Sequence, residues 1–80
     1  MFYEINFKEN NNGVEINTTQ KTLKRTCKWL KDNIIHKYTL SNCDLKVVRY
    51  YEQGMPDCVV MESIEDALDI IMLEEEVDSI

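Results

Sequence analysis

The sequence predicts an α+β fold in which two β-hairpin–helix units (ββαββα) form an antiparallel sheet with both helices packed on one face. Two observations support this prediction. The order strand–strand–helix occurs twice along the 80 residues, with alternating strands in the first half and strands rich in β-branched and aromatic residues in the second. The two halves also correspond at an offset of about 45 residues, as in Thr18 with Ser63 and Leu23 with Leu68. Their identity is too low to indicate a duplication. We expect residues 1–80 to form one small acidic domain.

The first two strands are predicted as a hairpin over residues 2–17. Tyr3, Ile5 and Phe7 alternate with polar residues, which places the three apolar side chains on one face of a strand. A run of three asparagines and Gly13 follows. Asn-Gly between alternating segments favours a type I′ turn, because both residues adopt positive φ angles readily.

The first helix is predicted to run from a cap at Thr18 or Thr19 to about His36. At about 100° per residue, its apolar positions form one narrow arc and its basic positions lie on the opposite side. The apolar arc comprises Leu23, Cys27, Leu30, Ile34 and Tyr38, and the basic side comprises Lys21, Lys24, Arg25, Lys28 and Lys31. This pattern is typical of an amphipathic helix that packs on a core.

The second pair of strands is predicted at residues 45–51 and 58–61, which are rich in β-branched and aromatic residues. Gly54 and Pro56 lie between them and indicate a turn.

The last helix follows Ser63, which is placed to cap it, with Asp66 three residues later as in a capping box. We expect this helix to fray after Glu76. Its predicted buried stripe comprises Ile64, Ala67, Leu68 and Ile71.

Charge is divided unevenly along the chain. Residues 1–49 hold all nine basic residues and five acidic ones, a net charge of +4. Residues 50–80 hold ten acidic residues and no Lys or Arg, and the formal net charge of the chain is −6. Like charge on one folded element attracts cations and basic surfaces. The C-terminal third is therefore the strongest candidate for a partner-binding surface.

Within that third, acidic side chains of the last helix fall in an arc of about 100° that also contains Leu73. An apolar side chain bordered by charge is typical of a protein-binding surface. The predicted partner-binding residues are Glu62, Glu65, Asp66, Asp69, Leu73, Glu76 and Val77. Five carboxylates over 15 helical residues are spaced about 4.5 Å apart. This is sparser than the ~1.7 Å of duplex phosphates and closer to the ~3.4 Å along one DNA strand. Nucleic-acid mimicry, self-association and a merely solvated face are the alternatives.

The basic side of the first helix also has three interpretations. Five cations could follow a phosphate backbone, they could form a solvated face, or they could meet the acidic helix within the monomer or across a dimer. The ten acidic residues of the C-terminal third would repel DNA, so direct nucleic-acid binding is not expected.

Indications of catalysis or cofactor binding are weak. The three cysteines, Cys27, Cys43 and Cys58, are odd in number and contain no CxxC pair, which is typical of neither a disulfide framework nor a paired zinc site. Cys27 and Cys58 are expected to be core residues. The single histidine, His36, lies at a helix end, and no Gly-rich phosphate loop, HExxH or GxSxG motif occurs. We expect no catalytic residue, metal or cofactor.

The chain contains no apolar run of the roughly 18 residues that a membrane span needs. Its first residues alternate apolar and polar and include the early acidic residue Glu4, which is not typical of a signal peptide. We therefore expect a cytoplasmic location and no membrane partner.

These observations favour a non-enzymatic interaction protein, an inhibitor that occupies a basic surface of another protein through its acidic helix. A nucleic-acid-binding groove is one candidate for that surface. The alternative is a homodimeric regulatory module that contacts nucleic acid through the basic helix at residues 19–36. A small enzyme that uses Cys43 or His36 is the third class. The usage of Asn, Ile and Lys indicates an AT-rich genome, and an acidic domain of this size suits an inhibitor from a phage or mobile element.

Overall fold

The computed structural model describes residues 1–51 and 54–78, with side chains described as far as Glu76 in the last helix. The strands are β1 (Phe2–Glu9), β2 (Val14–Gln20), β3 (Cys43–Tyr50) and β4 (Pro56–Met61). Helix α1 (Leu23–Leu30) continues as a wider, π-helical segment (Lys31–Ile35), a short 3-10 turn (Leu40–Asn42) precedes β3, and helix α2 is Ile64–Asp78. The order of the elements is consistent with the predicted ββαββα arrangement.

The four strands form one antiparallel sheet in the order β2-β1-β3-β4. The central strand β1 pairs with β2 and β3, so that Ile5 lies between Thr18 and Val47. The connection from β2 through α1 to β3 therefore passes over β1. The β3–β4 pairing contains two register shifts, at Val47/Val48 and at Arg49/Tyr50, and such irregularities change which face a side chain occupies.

One apolar core lies between the sheet and the two helices. It draws Ile5 from β1, Val47 from β3 and Leu30 from α1, all with no exposed surface. The other members of the cluster are Tyr3, Phe7, Cys27, Ile34, Leu45, Met61, Ile64, Ala67 and Ile71. The predicted α+β fold, with an antiparallel sheet and two helices packed against it, is confirmed. No helix within residues 1–51 or 54–78 is long and apolar enough to cross a membrane.

The predicted start of the first helix is wrong. Thr18 and Thr19 belong to β2, where they lie opposite Ile5 and Glu4, and α1 begins only at Leu23. Thr22 is its cap, because the Thr22 hydroxyl accepts a hydrogen bond from the backbone N–H of Arg25 at 3.1 Å. The β-branched threonines extend the ladder with β1, and this pairing moves the helix start by several residues.

The predicted type I′ turn is also replaced by a different loop. Four residues, 10–13, connect β1 to β2, and among the residues described positive φ angles occur only at glycines, with Gly13 at +67°. A type I′ turn would need a positive φ at Asn12 as well. The nearly buried Glu9 holds the loop instead, because its carboxylate accepts hydrogen bonds from the backbone N–H groups of Asn11 and Asn12.

Two predicted core residues are exposed. Leu68 is 39% exposed, and the buried stripe of α2 is Ile64, Ala67 and Ile71, with Ile70 packed against its edge. Apolar residues are spread more evenly around α2 than around α1, so periodicity alone does not fix which of them face the core. Cys58 is exposed as well, because β4 is an edge strand whose alternation is interrupted by the register shifts.

Candidate functional site

The outer face of α2 presents an acidic ridge with apolar flanks. Glu65, Asp69 and Glu76 are all exposed, and helical periodicity places them on the side away from the core. No ion pair to another described residue engages any of the three. Met72 and Leu73 lie on either side of the ridge and are 59% and 60% exposed. The predicted exposure of Leu73 is confirmed, and its role in partner binding stays a prediction.

The predicted site contains one residue with a mainly structural role. The Asp66 backbone N–H donates to the Ser63 hydroxyl at 3.1 Å, and the Asp66 carboxylate accepts from the backbone N–H of Glu62 at 2.9 Å. Asp66 is partly buried, so its charge serves the helix start rather than the outer face. Glu62 precedes the helix and is exposed. Val77 lies in α2, outside the residues whose side chains are described.

Apart from Leu73, the sequence pattern does not predict the apolar part of this face. It indicates no role for Met72 and predicts Leu68 in the core, but both side chains are exposed. Together they form an exposed pair four residues apart, which places them next to each other on the helix surface. The signal in the sequence was the number of apolar residues in α2, which exceeds what one buried stripe needs.

The basic residues do not form one continuous helical face. Lys21 precedes α1, in the bend after β2, so the prediction that placed it on the helix is wrong. Lys28 pairs with Asp32 at 3.2 Å within its own helix. Lys24, Arg25 and Lys28 are exposed on α1, and they are the part of the predicted nucleic-acid face that the structure keeps together.

Lys31, the last of the five residues predicted on the basic side of the first helix, joins the two helices. The Lys31 ammonium group donates a hydrogen bond to the carboxylate of Glu75, and this contact and the charge of Glu75 raise the pKa of Lys31. The ion pair lies at a cleft of about 210 Å³ between α1 and α2, which Ile71 and Glu74 also line. The basic helix and the acidic helix therefore meet within the monomer at this pair.

A polar cluster at the other end of the sheet was not predicted. The Arg49 side chain donates to the Asp57 carboxylate, with an Nε–Oδ2 distance of 2.6 Å. A hydrogen bond with the Asp57 carboxylate also raises the pKa of Tyr51. The pKa of Arg49 is raised by its hydrogen bond with Asp57 and, to a smaller extent, by one with Tyr3. These contacts link β3 to β4 on either side of the turn, which indicates a structural role.

The face of the sheet opposite the helices carries small apolar and polar areas. The rings of Phe2 and Tyr50 stack with centroids 5.1 Å apart, and Val48 beside them is only 8% exposed. Farther along, Lys8 and Lys46 share a shallow groove of about 420 Å³ with three carboxylates and two asparagines. The charges in this groove are mixed, so it favours neither an anion nor a cation.

Among the described residues, no hydrogen bond joins the side chains considered for chemistry. His36 ends the helical segment and is exposed, whereas Cys43 is partly buried and its thiol donates to the Thr39 carbonyl at 3.4 Å. Burial raises the pKa of Cys43 and raises that of Cys27 to about 11, which favours the thiol over the reactive thiolate. Within the described ranges, no three His, Cys, Asp or Glu side chains come together as a metal-ligand set.

Among the described residues, the outer face of α2 thus combines carboxylates that have no described ion pair with exposed apolar area. No known protein family, curated protein or solved structure matches the chain.

Proposed function

We propose that this protein is a non-enzymatic inhibitor that occupies a basic surface of another protein through the outer face of α2. The observation that carries the proposal is the acidic ridge of Glu65, Asp69 and Glu76, flanked by Met72 and Leu73. Charge on such a ridge speeds association with a basic partner. The apolar flanks then provide area that is removed from water in the complex.

A nucleic-acid-binding surface is the kind of basic partner that fits this ridge best. Glu65 and Asp69 are four residues apart and therefore lie about 6 Å apart along the helix axis. This spacing is nearly twice the ~3.4 Å between successive phosphates of one DNA strand, so each carboxylate would take the place of about every second phosphate in a basic groove. A cytoplasmic inhibitor from a phage or mobile element would meet such grooves on nucleases, polymerases and repressors.

The alternative, a homodimeric module that contacts nucleic acid through α1, has less support. Lys21 lies off the helix, Lys31 is engaged by Glu75, and Lys28 pairs with Asp32. Arg25 and its neighbours form a shorter basic patch than the sequence pattern suggested.

The test compares two charge reversals of equal size on different faces. Glu65→Lys with Asp69→Lys changes the ridge, and Glu15→Lys with Asp44→Lys is a control of equal charge on exposed strand residues. Because both control residues lie opposite Lys8 and Glu15 pairs with it, circular dichroism first checks that the control is folded. The wild-type protein and both variants serve as baits in a lysate of the native host, and quantitative mass spectrometry identifies what each retains. We expect basic proteins that are retained by the wild type and the control and lost by the ridge variant.

The affinity of the purified partner is then measured at low and high salt. We expect the ridge variant to slow association, and salt to weaken binding of the wild type. If the ridge variant binds as tightly as the control, the proposal is wrong. Labelled duplex and single-stranded DNA are tested in parallel, and binding that is lost on reversal of Arg25 and Lys28 would favour the nucleic-acid alternative.

A further inference from the structure

The two helices present complementary surfaces in the same layer of the molecule. Buried residues of both helices belong to the same core cluster, on the same face of the sheet. Their exposed sides therefore point in the same general direction, away from the sheet. Arg25 and Lys28 are exposed on α1, where Lys28 also pairs with Asp32, and Glu65 and Asp69 are exposed on α2. The Lys28–Asp32 pair is itself exposed, so solvent screens it and Lys28 can exchange Asp32 for a carboxylate of a second copy.

We infer that this helix layer binds a second copy of the chain. A twofold axis that lies in the plane between the two layers and runs between the helices would place α1 of each copy over α2 of the other. Because the interface is self-complementary, one such arrangement satisfies both acidic–basic contacts at once and leaves no free binding surface for further copies. The same charges argue against stacking α1 on α1 or α2 on α2, since like charges would then face each other.

Exposed apolar side chains are placed to fill the centre of this interface. Leu68 lies about 20° around α2 from Glu75, and Glu75 reaches Lys31 of α1. Leu68 and Met72 therefore lie on α2 between the side of Glu75 and the acidic ridge, and they are 39% and 59% exposed. In the proposed dimer they would lie between the two charged contacts, where burial stabilises association.

The dimer and the inhibitor use the same face of α2, but the inference does not rest on the proposed function. Self-association would cover the acidic ridge with the α1 helix of the second copy, which is itself a basic surface. A partner with a more extensive basic surface would displace that copy. Dimerisation would then lower the fraction of chains that are free to bind as the protein concentration rises.

A charge-swap experiment tests the inference directly. The first variant carries Arg25→Glu with Lys28→Glu, so both of its helices are acidic, and the second carries Glu65→Lys with Asp69→Lys. Sedimentation velocity at low salt, over a wide range of concentration, measures the mass of each. We expect the wild type to approach twice the mass of the single chain, each variant alone to stay monomeric, and an equal mixture of the two to form a heterodimer.

The mixture distinguishes lost charge contacts from misfolding, because a misfolded variant would not form a heterodimer with the variant of opposite charge. Circular dichroism checks that each variant is folded. The control variant with Glu15→Lys and Asp44→Lys should still dimerise. A wild type that stays monomeric throughout, or a mixture that stays monomeric, would overturn the inference. The proposed function fails separately, since the variant with reversed α1 keeps the acidic ridge and should still bind the captured partner.

Discussion

Lys31 on the π-helical extension of α1 and Glu75 in α2 form an ion pair across 44 residues of sequence. The two side chains are 43% and 54% exposed, so solvent screens their attraction and the pair contributes little to stability. The packing of Cys27 and Ile71 in the common core holds the helices together. The pair matters because it shows that the basic and acidic halves of this chain meet in space.

The first prediction separates core from surface among the leucines. Leu30→Ala removes a fully buried side chain and should lower the free energy of unfolding by about 2–5 kcal/mol, a large part of the stability of a domain this small. Leu73→Ala removes a side chain that is 60% exposed. This substitution should change the free energy of unfolding by less than about 0.5 kcal/mol. Urea unfolding followed by circular dichroism, at low protein concentration, measures both.

The Leu73→Ala variant should nevertheless bind the captured partner more weakly than the wild type. Equal destabilisation by the two leucine substitutions would instead place Leu73 in the core. The acidic ridge would then lack one of its apolar flanks.

The second prediction concerns the start of α2. Ser63→Ala removes the acceptor for the Asp66 N–H and should cost about 0.5–2 kcal/mol, whereas Ser63→Asp, which restores an acceptor, should retain most of the stability. Asp66→Lys should also destabilise, because it removes the acceptor for the Glu62 N–H and puts a cation at the helix N-terminus. The midpoints of urea unfolding compare the variants at constant m-value. A Ser63→Ala midpoint equal to that of the wild type would contradict the capping role.

The third prediction is a loss of stability at high pH through Cys27. Burial, and then the charge of Glu74, raise the pKa of this thiol from its ordinary 9.0 to about 11. As pH rises through this window, the unfolded chain releases its proton before the folded one does, so the unfolded state is increasingly favoured. Stability should fall between pH 9 and pH 11, and Cys27→Ala should show a smaller fall, measured by urea unfolding at several pH values.

Alkylation gives an independent measurement of the same difference. At mildly basic pH, iodoacetamide should modify the exposed Cys58 first and the buried Cys27 last, as read by mass spectrometry of digested protein. Rapid modification of Cys27 in the folded chain would show that this thiol is accessible and that its pKa is not raised.

The candidate site was partly predictable from the sequence. Periodicity placed Glu65, Asp69 and Glu76 of α2 on one side, and the exposure of Leu73 beside them followed. Periodicity gives only relative angles, however. It could not decide that Leu68 faces outward while Ile70 packs against the core, because that depends on where the sheet and α1 lie around α2.

The sequence alone determined the class of fold, because alternation with a period of two and the clear apolar stripe of α1 allow few ways to bury their apolar faces. It also determined the division of charge along the chain and the cap at Ser63, which are local properties. Only the tertiary structure decided the end of β2, the exposure of Cys58 and the meeting of Lys31 with Glu75. Each of these depends on pairing between segments distant in sequence, which local patterns do not encode.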